Sequence, residues 1–193
     1  MPPNKELSRD AILASALDLF ARRGYGAVRV EDVARAAGVS RTTFYNHFSE
    51  REEILAALFE RLLGSGPDDP ADGSAPLERV RALVRTAIEQ MLAQEPLARF
   101  VYSLPVRHES LLKPGRPSTP AVFTAIHRLL KEAVSRGEVR DDIPVDLLCI
   151  QVHAALENAM RAWAEGRTDD PLARADQLLD LALGGIRPPQ GER

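Results

Sequence analysis

Six polar side chains within seven consecutive residues have the chemical types that contact DNA bases and phosphates. They are Arg41, Thr42, Thr43, Tyr45, Asn46 and His47. Phe44 and Phe48 lie among them at the i, i+4 spacing of a buried helical stripe. With both rings turned inward, Thr42 and Asn46 point most directly outward. Because arginine pairs with guanine and asparagine with adenine in the major groove, we expect Arg41, Thr42 and Asn46 to meet base edges.

The other three polar residues of this set are better suited to phosphate contacts. Thr43, Tyr45 and His47 can donate hydrogen bonds to phosphate oxygens, which fix the position of a protein on the duplex without reading its sequence. The alternative is that the whole set forms an ordinary solvated helix face. Helix geometry alone leaves both interpretations open.

Two short helices joined by a tight turn are predicted to position these side chains. Val33 and Ala34 give the first helix an apolar side, and the small alanine lets another helix cross closely. Gly38 can end that helix, since a residue just past a helix end often needs a positive φ. Ser40 can begin the next helix by accepting a hydrogen bond from a free backbone N–H. Residues 29–48 therefore predict a helix-turn-helix.

The segment DVARAAGVSRTTFYNHFSEREEIL resembles the signature of the TetR family of one-component transcriptional regulators. The alanine pair, the glycine turn, the Val-Ser, the Thr-x-Tyr and the His-Phe are all in register, and the resemblance covers residues 8–63. It implies a ligand-responsive repressor that binds double-stranded operator DNA as a homodimer. Arg51 matches a lysine of the family that contacts phosphate. Arg29 stands where the family has a capping Thr or Ser, and its guanidinium can bind phosphate by a charge-assisted contact.

The remaining periodicity predicts helices throughout, so the fold class is all-α. We expect a three-helix DNA-binding domain at residues 1–48, a connecting helix at 49–63, and a ligand-binding and dimerisation domain at 64–193. The first helix has a possible cap at Ser8, and Ser49 with Glu52 forms a capping-box pattern before the connecting helix. Later helices are expected at 77–92, from Pro96, at 121–136, at 144–165, and from Pro171 to a stop at the pair Gly184 and Gly185.

Composition and charge are those of an ordinary globular protein. Hydrophobic residues make up 45% and charged residues 27%, and the net charge is −3. Residues 1–48 carry +2 and the rest −5, so the N-terminal end is the part fit to approach phosphates. No apolar run approaches the ~20 residues of a membrane span, and we expect a cytoplasmic protein. The lone Cys149 excludes an internal disulfide.

The family resemblance implies functions for the C-terminal helices. The last two long helices are expected to form a four-helix interface with a second subunit through Leu148, Val152, Leu156, Leu178, Leu179, Ala182 and Leu183. The helices from the one at 77–92 through the penultimate one at 144–165 would enclose an effector pocket, with candidate residues Met91, Phe100, Tyr102, His108, Phe123, His127 and Met160. Aromatic residues are few here, which favours a lipophilic or acyl-like effector. The alternative for the two histidines is a position on the surface or in a loop.

Alternative functions have weaker support in the sequence. Cys149, His153 and Glu157 follow one another at i, i+4 and i+8, so neighbouring pairs could ligate a metal, although a buried thiol beside a hydrogen-bonded histidine is more common. No G-x-S-x-G, phosphate loop or dinucleotide fingerprint indicates an enzyme. We therefore expect no metal, no cofactor and no catalysis. The main alternative is a helical ligand-binding protein that does not read DNA.

Overall fold

The computed structural model describes residues 5–63, 73–104 and 121–186. Within these ranges the chain forms α-helices and no β-strand, which confirms the expected all-α class. The chain divides into two compact units between Leu62 and Leu63. In the described ranges, no helix combines the length and the apolarity that crossing a membrane requires.

The first unit holds the segment that sequence analysis assigns to DNA. Its helices are α1 (Lys5–Arg23), α2 (Val30–Ala36), α3 (Arg41–Tyr45) and α4 (Arg51–Leu63, whose last residue falls in the second unit), with one 3₁₀ turn at Tyr25–Ala27. Helix α1 packs against α2 and the 3₁₀ turn, and α2 packs against α3. Phe20, Val33 and Phe44 contribute buried side chains from the three helices. This core holds α3 in place through its apolar face.

Two expected helix starts are wrong. Helix α1 begins three residues before Ser8, which is buried inside the helix instead of capping it. Helix α4 begins two residues after Ser49, so the Ser49–Glu52 capping box gives way to a different contact. The backbone N–H of Ser49 donates to the Glu53 carboxylate at 2.7 Å, while Glu52 accepts a hydrogen bond from the Tyr25 hydroxyl at 3.1 Å. Both expectations fail because a cap pattern does not say where the tertiary core starts a helix.

The second unit is built around one central helix. Its helices are α5 (Pro76–Leu92), α6 (Glu95–Ser103), α7 (Ala121–Ser135), α8 (Val145–Ala164) and α9 (Pro171–Ile186). Helix α8 packs against α5, α6, α7 and α9, and α5 also packs against α7 and α9. The apolar residues that α8 carries on several sides are explained by these four neighbours.

The predicted boundaries of these helices hold except at the end of α9. Pro96 lies in the first turn of α6 and Pro144 directly precedes α8, as expected. Helix α9 continues through Gly184 to Ile186 instead of stopping at the glycine pair. Glycine costs a helix interior only about 1 kcal/mol relative to alanine. Burial of apolar side chains such as Leu183 offsets that cost.

Candidate nucleic-acid interface

The turn between α2 and α3 is fixed by backbone hydrogen bonds around Gly38. Gly38 has φ +67°, its N–H donates to Arg35 O at 3.2 Å, and the N–H of Val39 donates to Ala34 O at 3.0 Å. These two bonds form a Schellman motif, which requires a left-handed residue at the position of Gly38. The glycine turn predicted from the sequence is confirmed, and it sets the direction in which α3 leaves α2.

Helix α3 is a single short turn that depends on its cap and one buried ring. The Ser40 hydroxyl oxygen accepts a hydrogen bond from the Thr43 N–H at 3.0 Å, as predicted. Phe44 is fully buried and lies 6.0 Å from the Phe48 ring, which confirms the inward stripe. The helix ends at Tyr45, but Asn46 keeps a helical backbone with φ −71° and ψ −15°. One continuous helical surface therefore extends from residue 41 to residue 46.

The polar set divides into exposed and half-buried members. The exposed side chains are Arg41, Thr42, Tyr45 and Asn46, and the half-buried ones are Thr43 and His47. The Thr43 hydroxyl lies 2.8 Å from the Ser40 hydroxyl, so it also stabilises the start of α3. Tyr45 is 45% exposed, with its ring edge-on to Phe44 at 5.6 Å. The three expected base-contacting residues are thus all exposed, while their contacts with DNA stay a prediction.

Arg41 pairs with Glu31 across the turn, a contact that the sequence did not predict. Its Nη2 lies 3.0 Å from Oε1 of Glu31, in the first turn of α2. Both side chains are largely open to solvent. Their ten-residue separation spans the turn, so no helical spacing rule could indicate this contact.

Arg29 begins α2 without a hydroxyl cap. The Asp32 carboxylate accepts a hydrogen bond from the Arg29 backbone N–H at 3.3 Å, which is the half of a capping box that the third helical residue supplies. The Arg29 side chain is exposed. Its guanidinium is consequently not needed as a cap and is placed where a phosphate could approach.

Arg51 makes structural contacts as well as facing a predicted phosphate. Its Nη1 donates to Tyr25 O and Val28 O, each at 3.1 Å, and its guanidinium stacks 4.1 Å from the Tyr25 ring centroid. Partial burial raises the pKa of Tyr25, an effect that the positive charge of Arg51 opposes. Arg51 therefore holds the segment between α1 and α2 against the start of α4.

A cleft of about 540 Å³ lies between residues 26–31 and the side chains of Tyr45, Arg51 and Glu52. Two arginines and two glutamates border it, which balances the formal charge along its walls. Its position brings the exposed Arg29 and the exposed Tyr45 to one concave surface. Two of the predicted phosphate contacts are therefore neighbours in space.

In the second unit, the structure brings together part of the predicted effector set. Met91, Phe100, Tyr102 and Met160 are buried, whereas Phe123 and His127 are half-buried and His108 lies outside the described residues. The Tyr102 hydroxyl donates to Met91 Sδ at 3.3 Å, and burial raises the pKa of Tyr102 well above its usual value. His127 Nε2 lies 3.4 Å from an Asp146 carboxylate oxygen, near the start of α8.

A polar ladder on α8 lies next to these residues. His153, Glu157 and Arg161 are spaced at i, i+4 and i+8; Glu157 is 3.8 Å from His153 and 3.2 Å from Arg161. Arg161 Nη1 also donates to Tyr102 O and Leu104 O, at the end of α6. The sequence pattern offered two interpretations of His153 and Glu157: a possible metal pair, or a hydrogen-bonded histidine beside a buried thiol. The same four-residue spacing continues from Glu157 to Arg161, and this pattern in the sequence could have predicted the ladder.

The residues expected at the dimer interface are mostly buried inside one protomer. Leu148, Val152, Leu156, Leu179 and Leu183 are buried, and Leu178 and Ala182 are half-buried. A side chain that its own chain already shields from water gains little from a partner, so Leu178 and Ala182 are more open to a partner than the five buried residues, and the interface as a whole stays a prediction. The large apolar side chains open to solvent on α8 and α9 are Leu147 at 52%, Ile150 at 47% and Leu181 at 77%.

Cys149 lies beside this surface and is half-buried. Burial raises the pKa of its thiol to about 11, so the thiol stays protonated at neutral pH. A protonated thiol is a poor nucleophile and a poor metal ligand. In the described part of the chain, no three His, Cys, Asp or Glu side chains are grouped as a metal site would require.

Comparison with known proteins places the helix-turn-helix in a described family. The sequence profile of the family "Bacterial regulatory proteins, tetR family" matches residues 12–58. The HTH-type transcriptional repressor KstR2 of Rhodococcus jostii is 30% identical over 190 residues, which cover 94% of this chain and 92% of that protein.

Solved structures of two regulators share the fold. FadR from Thermus thermophilus, a TetR family transcriptional repressor in complex with lauroyl-CoA, is 25% identical with a TM-score of 0.62. The alignment covers 96% of this chain and 98% of that one. The fatty acid degradation regulator FadR from Bacillus halodurans is 24% identical with a TM-score of 0.67, over 93% of this chain and 96% of the other. The likeness extends through both units and not only over the helix-turn-helix.

Proposed function

Because this chain belongs to the TetR family of bacterial regulatory proteins, we propose that it is a transcriptional repressor that binds operator DNA in the cytoplasm and is released by a small ligand. The observation that carries the proposal is the surface of α3. A glycine turn and a serine cap hold this helix, and a buried phenylalanine leaves Arg41, Thr42, Tyr45 and Asn46 exposed together. This geometry supports insertion of α3 into the major groove.

Contacts to DNA follow from the chemistry of each side chain. Arg41, Thr42 and Asn46 face base edges, where the guanidinium and the carboxamide can each make two hydrogen bonds to a purine. Phosphate contacts come from Tyr45 and Arg29 along the cleft, with further donors at Thr43, His47 and Arg51. Arg51 contributes chiefly its positive charge, since two of its hydrogen bonds are made to Tyr25 and Val28.

The functional unit is a homodimer, supported by the exposed apolar residues of α8 and α9. Leu147, Ile150 and Leu181 would be covered by the same helices of a second copy, and the half-buried Leu178 and Ala182 adjoin them. Two α3 helices related by a two-fold axis read an inverted repeat, with half-sites roughly 34 to 36 Å apart or somewhat more.

The effector is a lipophilic molecule with an acyl chain. Support comes from the buried thioether and aromatic side chains of Met91, Phe100 and Met160, and from the likeness to a repressor solved with lauroyl-CoA. Binding shifts the population of dimers toward one whose α3 spacing fits the operator less well. This role requires ligand binding alone, so the protein needs no catalytic group for it.

Selection of bound sequences from a random double-stranded DNA pool tests the DNA-binding function. We expect enrichment of an inverted repeat, with affinity that falls steeply as salt concentration rises because phosphate contacts release counterions. If the pool shows no enrichment, the chain is instead a helical ligand-binding protein that does not read DNA.

Thermal unfolding with a series of saturated acyl-CoA thioesters tests the ligand class. We expect the transition temperature to rise with chain length, because each buried methylene adds apolar area removed from water. Coenzyme A without an acyl group is the matched control. Stabilisation by small polar metabolites alone would contradict an acyl effector.

A further inference from the structure

The ion pair between Glu31 and Arg41 joins the two helices of the DNA-binding motif. Arg41 is the first residue of α3, and its Nη2 lies 3.0 Å from Oε1 of Glu31 in the first turn of α2. Exposed pairs of this kind contribute little to stability. The contact therefore matters little for folding, and its consequence lies in where it holds the guanidinium.

Both residues of this pair lie on helices whose relative orientation is fixed by backbone hydrogen bonds. The Schellman turn at Gly38 orients α2 relative to α3, and the hydrogen bond from the Thr43 N–H to Ser40 fixes the start of α3. An unrestrained arginine loses rotamer entropy when it is immobilised on a base. Pairing with Glu31 restricts the side chain before DNA arrives and so reduces that loss on binding.

The pair leaves Arg41 able to read a base. A guanidinium has five N–H donors arranged in a planar fork, and Glu31 contacts it through Nη2 at one oxygen. One edge of the fork keeps two parallel donors, which match O6 and N7 of guanine. A lysine at this position could not serve both partners in this way, because its ammonium has no such fork.

We propose that Glu31 is a positioning residue for base recognition: it orients Arg41 toward guanine and thereby sets the preference at one base pair of each half-site. The inference rests on the proposed DNA-binding function. The negative charge of Glu31 has a second effect, since a carboxylate near DNA repels phosphates. Removing Glu31 therefore raises affinity for sequences that lack the preferred guanine, whereas the preferred sequence also loses the positioning of Arg41, so discrimination falls at the position that Arg41 reads.

The test is a specificity profile of the variant Glu31→Ala by selection from random DNA, followed by affinity measurements on duplexes that differ at each operator position. We expect discrimination to fall roughly threefold to tenfold at a single position per half-site and to stay unchanged elsewhere. Asp18→Ala is the matched control, because it also removes one negative charge and one exposed ion pair, that with Arg22 in α1. It should leave the profile unchanged.

The double variant Glu31→Ala/Arg41→Ala separates positioning from a direct role of Glu31. If Glu31 acts through Arg41, its removal has no further effect on discrimination once Arg41 is absent. An unchanged profile for Glu31→Ala, or an equal loss in the Arg41→Ala background, overturns the inference. Failure of the wild-type protein to enrich any sequence would instead overturn the proposed function, so the two failures are distinguishable.

Discussion

The side chain of Arg51 has two roles, one structural and one proposed in DNA binding, and the two can be measured separately. It donates to the carbonyl oxygens of Tyr25 and Val28 and stacks on the Tyr25 ring, while its charge is available to DNA. The family resemblance assigns only the phosphate role. The contacts show a structural role in the chain without DNA.

We expect Arg51→Lys to lower the free energy of unfolding by roughly 1 to 3 kcal/mol, because the ammonium cannot reproduce both carbonyl bonds and the stacked contact. Urea unfolding followed by circular dichroism measures the change. Arg29→Lys is the control, since the Arg29 side chain is exposed. Equal stability of the two variants would contradict the structural role of Arg51.

Tyr45 is the residue whose loss best tests the assigned DNA face. It is substantially exposed on α3, so Tyr45→Ala should leave the fold intact. We expect operator affinity to fall by roughly tenfold or more, because a hydrogen bond to a charged phosphate is lost. Fluorescence anisotropy with the selected operator measures this, and Tyr45→Phe separates the hydroxyl from the ring. Unchanged affinity of Tyr45→Ala would mean that α3 presents a different face.

At the scale of an element, α3 is too short to be stable by itself. Its five residues form little more than one turn, and isolated helices shorter than ~12 residues are marginal in water. The Ser40 cap and the buried Phe44 ring therefore decide whether this helix exists. Sequence analysis predicted both, because they depend on local spacing.

We expect Ser40→Ala to destabilise the first unit by about 1 kcal/mol, since the Thr43 N–H loses its acceptor. Ser40→Asp should retain stability, because aspartate also caps helices, yet it should bind DNA more weakly through charge repulsion. Thermal unfolding and operator binding measured on both variants check the two effects independently. Similar stability of the wild type and Ser40→Ala would show that tertiary packing alone maintains α3.

At the scale of the whole molecule, the proposed dimer involves a surface outside the helix-turn-helix. Helix α8 packs against four neighbouring helices, yet its Leu147 and Ile150 are exposed to solvent. Leu181 of α9 is exposed as well. Such side chains are unfavourable in water when they form a patch. Their position on the two helices expected to pair favours a second copy as the partner.

We expect Leu181→Glu to convert a dimer into monomers, because the partner would have to bury an unpaired charge. Sedimentation velocity measures the mass, and binding to one half-site and to the full inverted repeat measures the consequence. The monomer should lose affinity for the full repeat much more than for the half-site. Leu7→Glu is the matched control, since Leu7 is 68% exposed on α1 of the first unit. A dimer that survives Leu181→Glu would place the interface elsewhere.

Local patterns determined much of the protein. The all-α class, the glycine turn at Gly38, the Ser40 cap and the inward Phe44 all follow from spacings of four residues or fewer, within which a helix fixes its own geometry. Cap patterns alone were less reliable, as Ser8 and Ser49 show, because burial decides where a helix starts.

Contacts between distant residues were decided only by the tertiary structure. The pairing of Glu31 with Arg41, the carbonyl bonds of Arg51 and the Arg161 link to the end of α6 join residues that no periodicity relates. Periodicity likewise marked the apolar residues of α8 and α9 without dividing them between the core and a partner. Apolar residues that recur about every 3.6 residues indicate which face of a helix is apolar. Which neighbour covers that face depends on how all the helices pack, and that arrangement leaves Leu181 exposed and Leu179 buried.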